Sequence, residues 1–167
     1  MITAERLRKL LHYDPETGVF TWRMQRGPAA AGAVAGSPHR DGYVCIGIDG
    51  RWYLAHRLAW LYMSGEWPEN QIDHHDGKRS NNRIANLRPA THAQNQMNSR
   101  AYGQSGRKGV SWNRGRWQAR IRVNRVLIHL GRFDDKEEAA AAYALHARKH
   151  FGEFARAGRT ETEKDKP

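Results

Sequence analysis

The chain has 167 residues, 39% hydrophobic and 10% aromatic, a composition that fits one ordinary globular domain or two small ones. No apolar run approaches the roughly 20 residues of a membrane span, and the opening stretch MITAERLRKLLHYDPETG lacks the apolar core of a secretion signal, so a cytoplasmic protein is expected. The formal net charge of +11 makes polyanions, nucleic acid first, the expected partners, and the lone cysteine, Cys45, excludes an internal disulfide and a Cys-rich zinc site.

Residues 4–12 (AERLRKLLH) read as a short amphipathic helix, YDPETG as a turn and VFTWR as a strand. GPAAAGAVAGSPHRDG is a loop of small residues. YVCIGID and RWYLA read as strands around an Asp49-Gly50 hairpin turn, and His56–Met63 has helical spacing of apolar residues, ended by GEWPEN. Ile72–His74 reads as a short strand, DGKRSNN as a polar loop and Leu87–Ala90 as the return strand. Thr91 and Gln94 have the spacing of a capping box for a helix that runs to about Ser99.

SRAYGQSGRKG is a Gly/Ser/basic linker, and beyond it GVSWN, RWQARIRV and VLIHLGRF read as three strands. Along the middle one Arg116, Gln118, Arg120 and Arg122 face one way, and Trp117, Ala119, Ile121 and Val123 the other. Asp134-Asp135 starts a helix with an acidic first turn, Gly152 is its expected stop, and a charged disordered tail follows from Arg156. Between Arg100 and Phe133 the chain carries nine basic residues and no acid, whereas residues 1–99 mix both signs. That asymmetry divides the chain into a first module at 1–100, a linker at 101–105, a second module at 106–155 and a tail at 156–167.

Within the first module, QIDHHDGKRSNN sets carboxylates beside imidazoles. Any one of these residues alone reads as part of a hydrogen-bonded turn. Together they make a site: Asp73 as ligand to a hard cation, the amide of Asn95 as a neutral second ligand, His74 as a base that takes a proton from water, and Asn86 holding the histidine or its loop. Strand alternation, however, puts Asp73 on one face with His75, so His75 is the rival base and an alternative phosphate contact. Lys78 and Arg79, in the loop after the site, are the better phosphate candidates. His56, at a helix start, reads as structural.

From LAHRLAW through IDHHDGKRSNNRIANLRPATHAQNQMN, Leu54 to Asn98, the chain resembles the HNH nucleases, in particular the phage and bacterial homing-type group. The resemblance implies a ββα-metal core with Asp73 and Asn95 as metal ligands, His74 as general base and Asn86 as the middle Asn. It also implies a Mg2+ or Mn2+ ion, hydrolysis to a 3′-hydroxyl and a 5′-phosphate, and a bacterial or phage-infected host cell. The common Glu before the last Asn is Gln94 here, which keeps the capping geometry.

In the second module, RKGVSW, GRWQARIRV, IHLGRFDDKEEAAAAYALHA and FGEFA, Gly106 to Ala155, resemble the APETALA2-type DNA-binding domain. That resemblance implies Lys108, Ser111, Asn113, Arg114, Arg116, Arg120, Arg122, Arg125 and His129 on the DNA face. The Asn124-Arg125 turn lacks the usual glycine, and His129 stands where plant relatives have tryptophan. A basic strand face suits phosphates and guanine edges, and inward tryptophans favour duplex DNA over RNA.

The expected protein is thus α+β: a ββα-metal nuclease module followed by a three-stranded antiparallel sheet packed on one helix. Its expected function is metal-dependent cleavage of double-stranded DNA, as a monomer that nicks or a dimer that cuts both strands. The alternative is a sequence-specific DNA-binding regulator with an inactive HNH remnant.

Overall fold

Thr3 starts the first element: its hydroxyl accepts the Arg6 N–H at 3.2 Å, and α1 (Ala4–Leu10) buries Ala4, Leu7 and Leu10. The computed structural model describes residues 1–99 and 105–155. The expected tail, and the expected linker apart from Ser105, lie outside the described residues. The helix ends before residue 12. Leu11 is already extended, and β1 (Leu11–Asp14) pairs antiparallel with β2 (Val19–Trp22). In LHYD the burial period is two, with Leu11 and Tyr13 buried and His12 exposed, so a strand seats both large side chains where a helix would not.

A short β3 (Ser37–Pro38) adds to β4 (Val44–Ile48), which pairs with β5 (Arg51–Leu54) through the expected hairpin. Asp49 and Gly50 both take positive φ, 49° and 75°, as a two-residue turn between right-twisted strands requires. α2 (Ala55–Ser64) follows directly and stops at Gly65 with φ 86°. Then β6 (Gln71–His74) pairs antiparallel with β7 (Leu87–Ala90) in the register Asp73 to Arg88 and His74 to Leu87. One core joins these pieces, with Leu7, Leu11, Tyr13, Phe20, Ile46, Ile48, Leu58 and Leu61 among its buried members and Ile72 and Leu87 from the β6–β7 hairpin.

The chain divides into two compact units, Met1–His92 and Ala93–Pro167. The division falls inside α3 (His92–Met97), so most of the helix that follows the β6–β7 hairpin belongs to the second unit. In the second unit β8 (Val110–Asn113), β9 (Arg116–Val123) and β10 (Val126–Phe133) form a sheet in the order β10-β9-β8, all antiparallel. α4 (Lys136–Phe151) is capped by the Asp135 carboxylate, which accepts the Glu137 and Glu138 N–H groups at 2.7 and 3.0 Å, and it ends at Gly152. Val110, Ala119 and Ile121 pack against Ala139, Tyr143 and Ala147, the small residues letting the helix lie close to the sheet. No helix among the described residues is long and apolar enough to cross a membrane.

Candidate functional site

His74 closes β6 and is 4% exposed, whereas His75, just past the strand end, has an exposed side chain and donates its backbone N–H to the Asn86 carbonyl at 2.8 Å. The His74 ring meets His56 edge to face with centroids 4.9 Å apart, and Tyr43 stands 6.0 Å away. Its Nε2 lies 3.2 Å from Asn82 Oδ1. An amide oxygen only accepts, so this contact puts the ring proton on Nε2. Burial is the largest influence on the imidazole and holds its pKa below the ordinary value; Asn82, Asp76 and Asp73 pull it up, and Arg79 adds to the lowering. The ring is therefore neutral at pH 7, the form a general base requires.

Asp73 lies on the other face of β6, as alternation demands, and is also 4% exposed. Directly across the ladder, Arg88 reaches its Oδ2 through Nε at 2.9 Å and Nη2 at 2.8 Å. The guanidinium supplies the counter-charge that a buried carboxylate needs. Both faces of the strand end are covered, Asp73 on one and His74 on the other.

A carboxylate such as that of Asp73 is the donor type a hard cation takes. Among the described residues no three His, Cys, Asp or Glu side chains gather to form a metal cage. Magnesium typically takes one or two protein oxygens and completes its shell with water and substrate phosphate. Asn95, the other expected ligand, lies half-buried on α3.

Asn86 works on the loop. Its Oδ1 accepts the Asp76 N–H at 3.0 Å, and its Nδ2 donates to Asp76 Oδ1 at 3.0 Å and to the Asn81 carbonyl at 2.8 Å. Burial pushes Asp76 up, but hydrogen bonds from Asn81, the Lys78 N–H and Asn86 outweigh it and hold the carboxyl below its ordinary range. The asparagine that touches His74 is Asn82. Its carbonyl accepts the buried Tyr13 hydroxyl at 2.7 Å, and its backbone passes so close to Gly18 that a Cβ there would sit 2.5 Å from the Asn82 carbonyl carbon. β1 and its turn thereby set where residue 82 lies.

Arg79 stacks its guanidinium 4.8 Å from the Tyr43 ring centre and donates to the Asp41 carbonyl at 2.8 Å, while Lys78 is exposed. His56, in the first turn of α2, is 5% exposed, and its pKa is pushed down to about 3, chiefly by burial, then by His74 and Arg57. Its Nδ1 is buried without a hydrogen-bond partner among the described residues. Asn82, Arg88, Tyr43 and His56 are the neighbours that sequence reasoning did not bring to the site. Arg88 had a usable signal: closing the hairpin at His74 and Leu87 puts residue 88 opposite 73.

The second unit carries a polar sheet face. Ser111, Asn113, Arg116, Gln118, Arg120, Arg122, Leu127 and His129 share one side of the sheet, with Arg120 directly opposite His129 and Arg122 opposite Leu127. Arg120 donates to Ser111 Oγ at 3.3 Å, and Arg116 forks onto the Asp134 carboxylate at 2.7 and 2.6 Å. Arg114 and Arg125 sit in the two hairpin turns at φ 48° and 68°. Lys108 departs from the face: its ammonium is bound to backbone carbonyls of residues 96–99.

Residues 53–97 match the family model described as HNH endonuclease, which marks an HNH endonuclease domain in that segment. Over 118 residues the chain is 31% identical to an uncharacterized HNH endonuclease of Acanthamoeba polyphaga mimivirus; the match covers 70% of this chain and 62% of that relative's length. Both likenesses support a nuclease enzyme. No solved structure matches the chain. The matched segment contains Asp73, His74, Asn86 and Asn95, and also His56, Asn82 and Arg88.

Proposed function

We propose that this chain, carrying an HNH endonuclease domain at residues 53–97, hydrolyses phosphodiester bonds of double-stranded DNA with a divalent metal. The observation that carries the reading is His74: a neutral imidazole at the end of the strand that also bears Asp73, oriented by Asn82. His74 takes the proton of the attacking water at the ring nitrogen that holds the lone pair, and Asn82 keeps the tautomer. Asn86 and Asp76 keep the loop closed around residue 82. Asp73 and Asn95 would hold Mg2+ or Mn2+ in a ββα-metal arrangement, and the ion supplies Lewis-acid stabilisation of the phosphate and leaving oxygen. The products are a 3′-hydroxyl and a 5′-phosphate.

Arg120, Arg122 and Arg125, with Ser111, Asn113 and His129, form the duplex-binding face of an APETALA2-like sheet. Guanidinium groups on a strand neutralise phosphates and reach guanine edges. Arg114 and Arg116 flank that face, and Lys78 and Arg79 are phosphate contacts nearer the nuclease site. The second reading, a DNA-binding regulator with a silent nuclease module, is favoured by one observation, the grip of Arg88 on Asp73.

The test is supercoiled plasmid with excess protein and Mg2+ or Mn2+, against chelator and His74→Ala. Metal-dependent nicked or linear product that the variant fails to make supports the nuclease. Tight, salt-sensitive binding to many plasmids without cleavage transfers the conclusion to the regulator.

A further inference from the structure

Lys108 lies at a position where sequence alone expects a DNA contact, yet its side chain is turned to protein. Its Nζ donates to the carbonyl oxygens of Gln96, Met97 and Ser99 at 3.0, 2.6 and 3.1 Å. The last carbonyls of a helix lack partners within it and carry its partial negative charge, so an ammonium is a fitting cap for them. α3 has six residues, too short to be stable in isolation.

The backbone that presents Lys108 is held on both sides. Before it, Arg107 forks onto the Glu137 carboxylate of α4 at 2.8 to 3.2 Å, with the Arg107 side chain only 12% exposed. After it, Gly109 at φ 70° lies under Tyr143 and against the Arg120 carbonyl, so closely that a Cβ would stand 2.2 Å from the ring and 2.5 Å from that oxygen. Ser105 Oγ, within 2.7 Å of the Val110 carbonyl and accepting the Arg107 N–H at 3.2 Å, closes the turn. Lys108 is a fixed bracket on the sheet-and-helix body, and its ammonium grips the end of α3.

We propose that Lys108 is a positioning residue for the nuclease: it fastens α3, and with it Asn95, to the body that carries the basic sheet. The proposal rests on the reading of Asn95 as an amide ligand given above. It makes the metal requirement for cleavage depend on a residue that touches neither metal nor DNA.

The experiment compares the full-length chain with Lys108→Met, which keeps the stem and removes the cation, by amide hydrogen exchange, by gel shift over a range of salt, and by cleavage over a range of Mn2+. Losing the charge-assisted hydrogen bonds should speed exchange of α3 amides about tenfold. Exchange in β9 and β10 stays unchanged, showing in the same data that the sheet is folded. The half-maximal Mn2+ concentration rises about tenfold, while DNA affinity and its salt dependence stay as in the parent. A phosphate contact predicts the reverse: unchanged α3 exchange, weaker binding and a log–log salt slope smaller by about 0.9. That result overturns the proposal, as does an unchanged α3 with unchanged binding. Asn95→Ala in parallel separates the two readings. If Lys108→Met loosens α3 but Asn95→Ala leaves the Mn2+ requirement untouched, the ligand assignment has failed and the clamp stands as a purely structural one.

Discussion

His56 makes the first unit acid-sensitive in a way that one substitution should remove. The ring is buried and its pKa is pushed from an ordinary 6.5 to about 3. As pH falls below the ordinary value, the unfolded chain takes up a proton that the folded one refuses, so folding stability falls by about 1.4 kcal/mol per pH unit until the folded pKa is reached. From pH 7 to pH 5 this amounts to about 2 kcal/mol from His56 alone. His56→Phe keeps a ring of similar size and removes both the titration and the unpartnered Nδ1. Urea unfolding followed by tryptophan fluorescence at pH 7, 6 and 5 should show a loss on acidification about 2 kcal/mol smaller in the variant than in the parent. Equal losses in parent and variant would refute the claim that His56 is held neutral by burial.

Three further outcomes follow from the same geometry. Gly18→Ala combines a positive φ of 75° with a Cβ 2.4 Å from the Arg83 nitrogen, and urea unfolding should show a loss of about 3 kcal/mol or more; a loss below about 1 kcal/mol would contradict the close passage of residues 82–83. Arg88→Met removes the counter-charge beside the buried Asp73 carboxylate, with an expected loss of about 3 kcal/mol that added Mg2+ or Mn2+ partly restores if Asp73 is a ligand; thermal unfolding with and without the ion measures both. Arg125→Gly relieves a left-handed arginine at φ 68° and should stabilise the sheet unit by about 1 kcal/mol, while lowering the DNA salt slope by about 0.9 if that cation meets a phosphate. Thermal scans and gel shifts read the two effects separately.

Elements governed by neighbours in the chain were legible. The Asp49-Gly50 and Asn124-Arg125 turns, the Asp135 cap, the Gly152 stop and the alternation from Arg116 to Val123 depend on φ preference, capping and periodicity. β1 was not, because LRKLLH continues a helical pattern and only pairing with β2 rewards the strand. At the site, sequence brought Asp73 and His74 forward as a pair and left His75 open. Asn86 and Asn82 could be told apart only once Tyr13 and Gly18, from another part of the chain, were seen to hold residue 82 beside the ring.

The residue types and spacings by themselves determined that a carboxylate–imidazole pair, a hairpin around it and a separate basic sheet would exist, since these follow from local conformational preference and charge. The tertiary structure decided which histidine is buried, that Arg88 compensates Asp73, and that Lys108 faces a helix end. Desolvation and hydrogen-bond partners are supplied by segments remote in sequence, and no local pattern encodes which remote group will arrive.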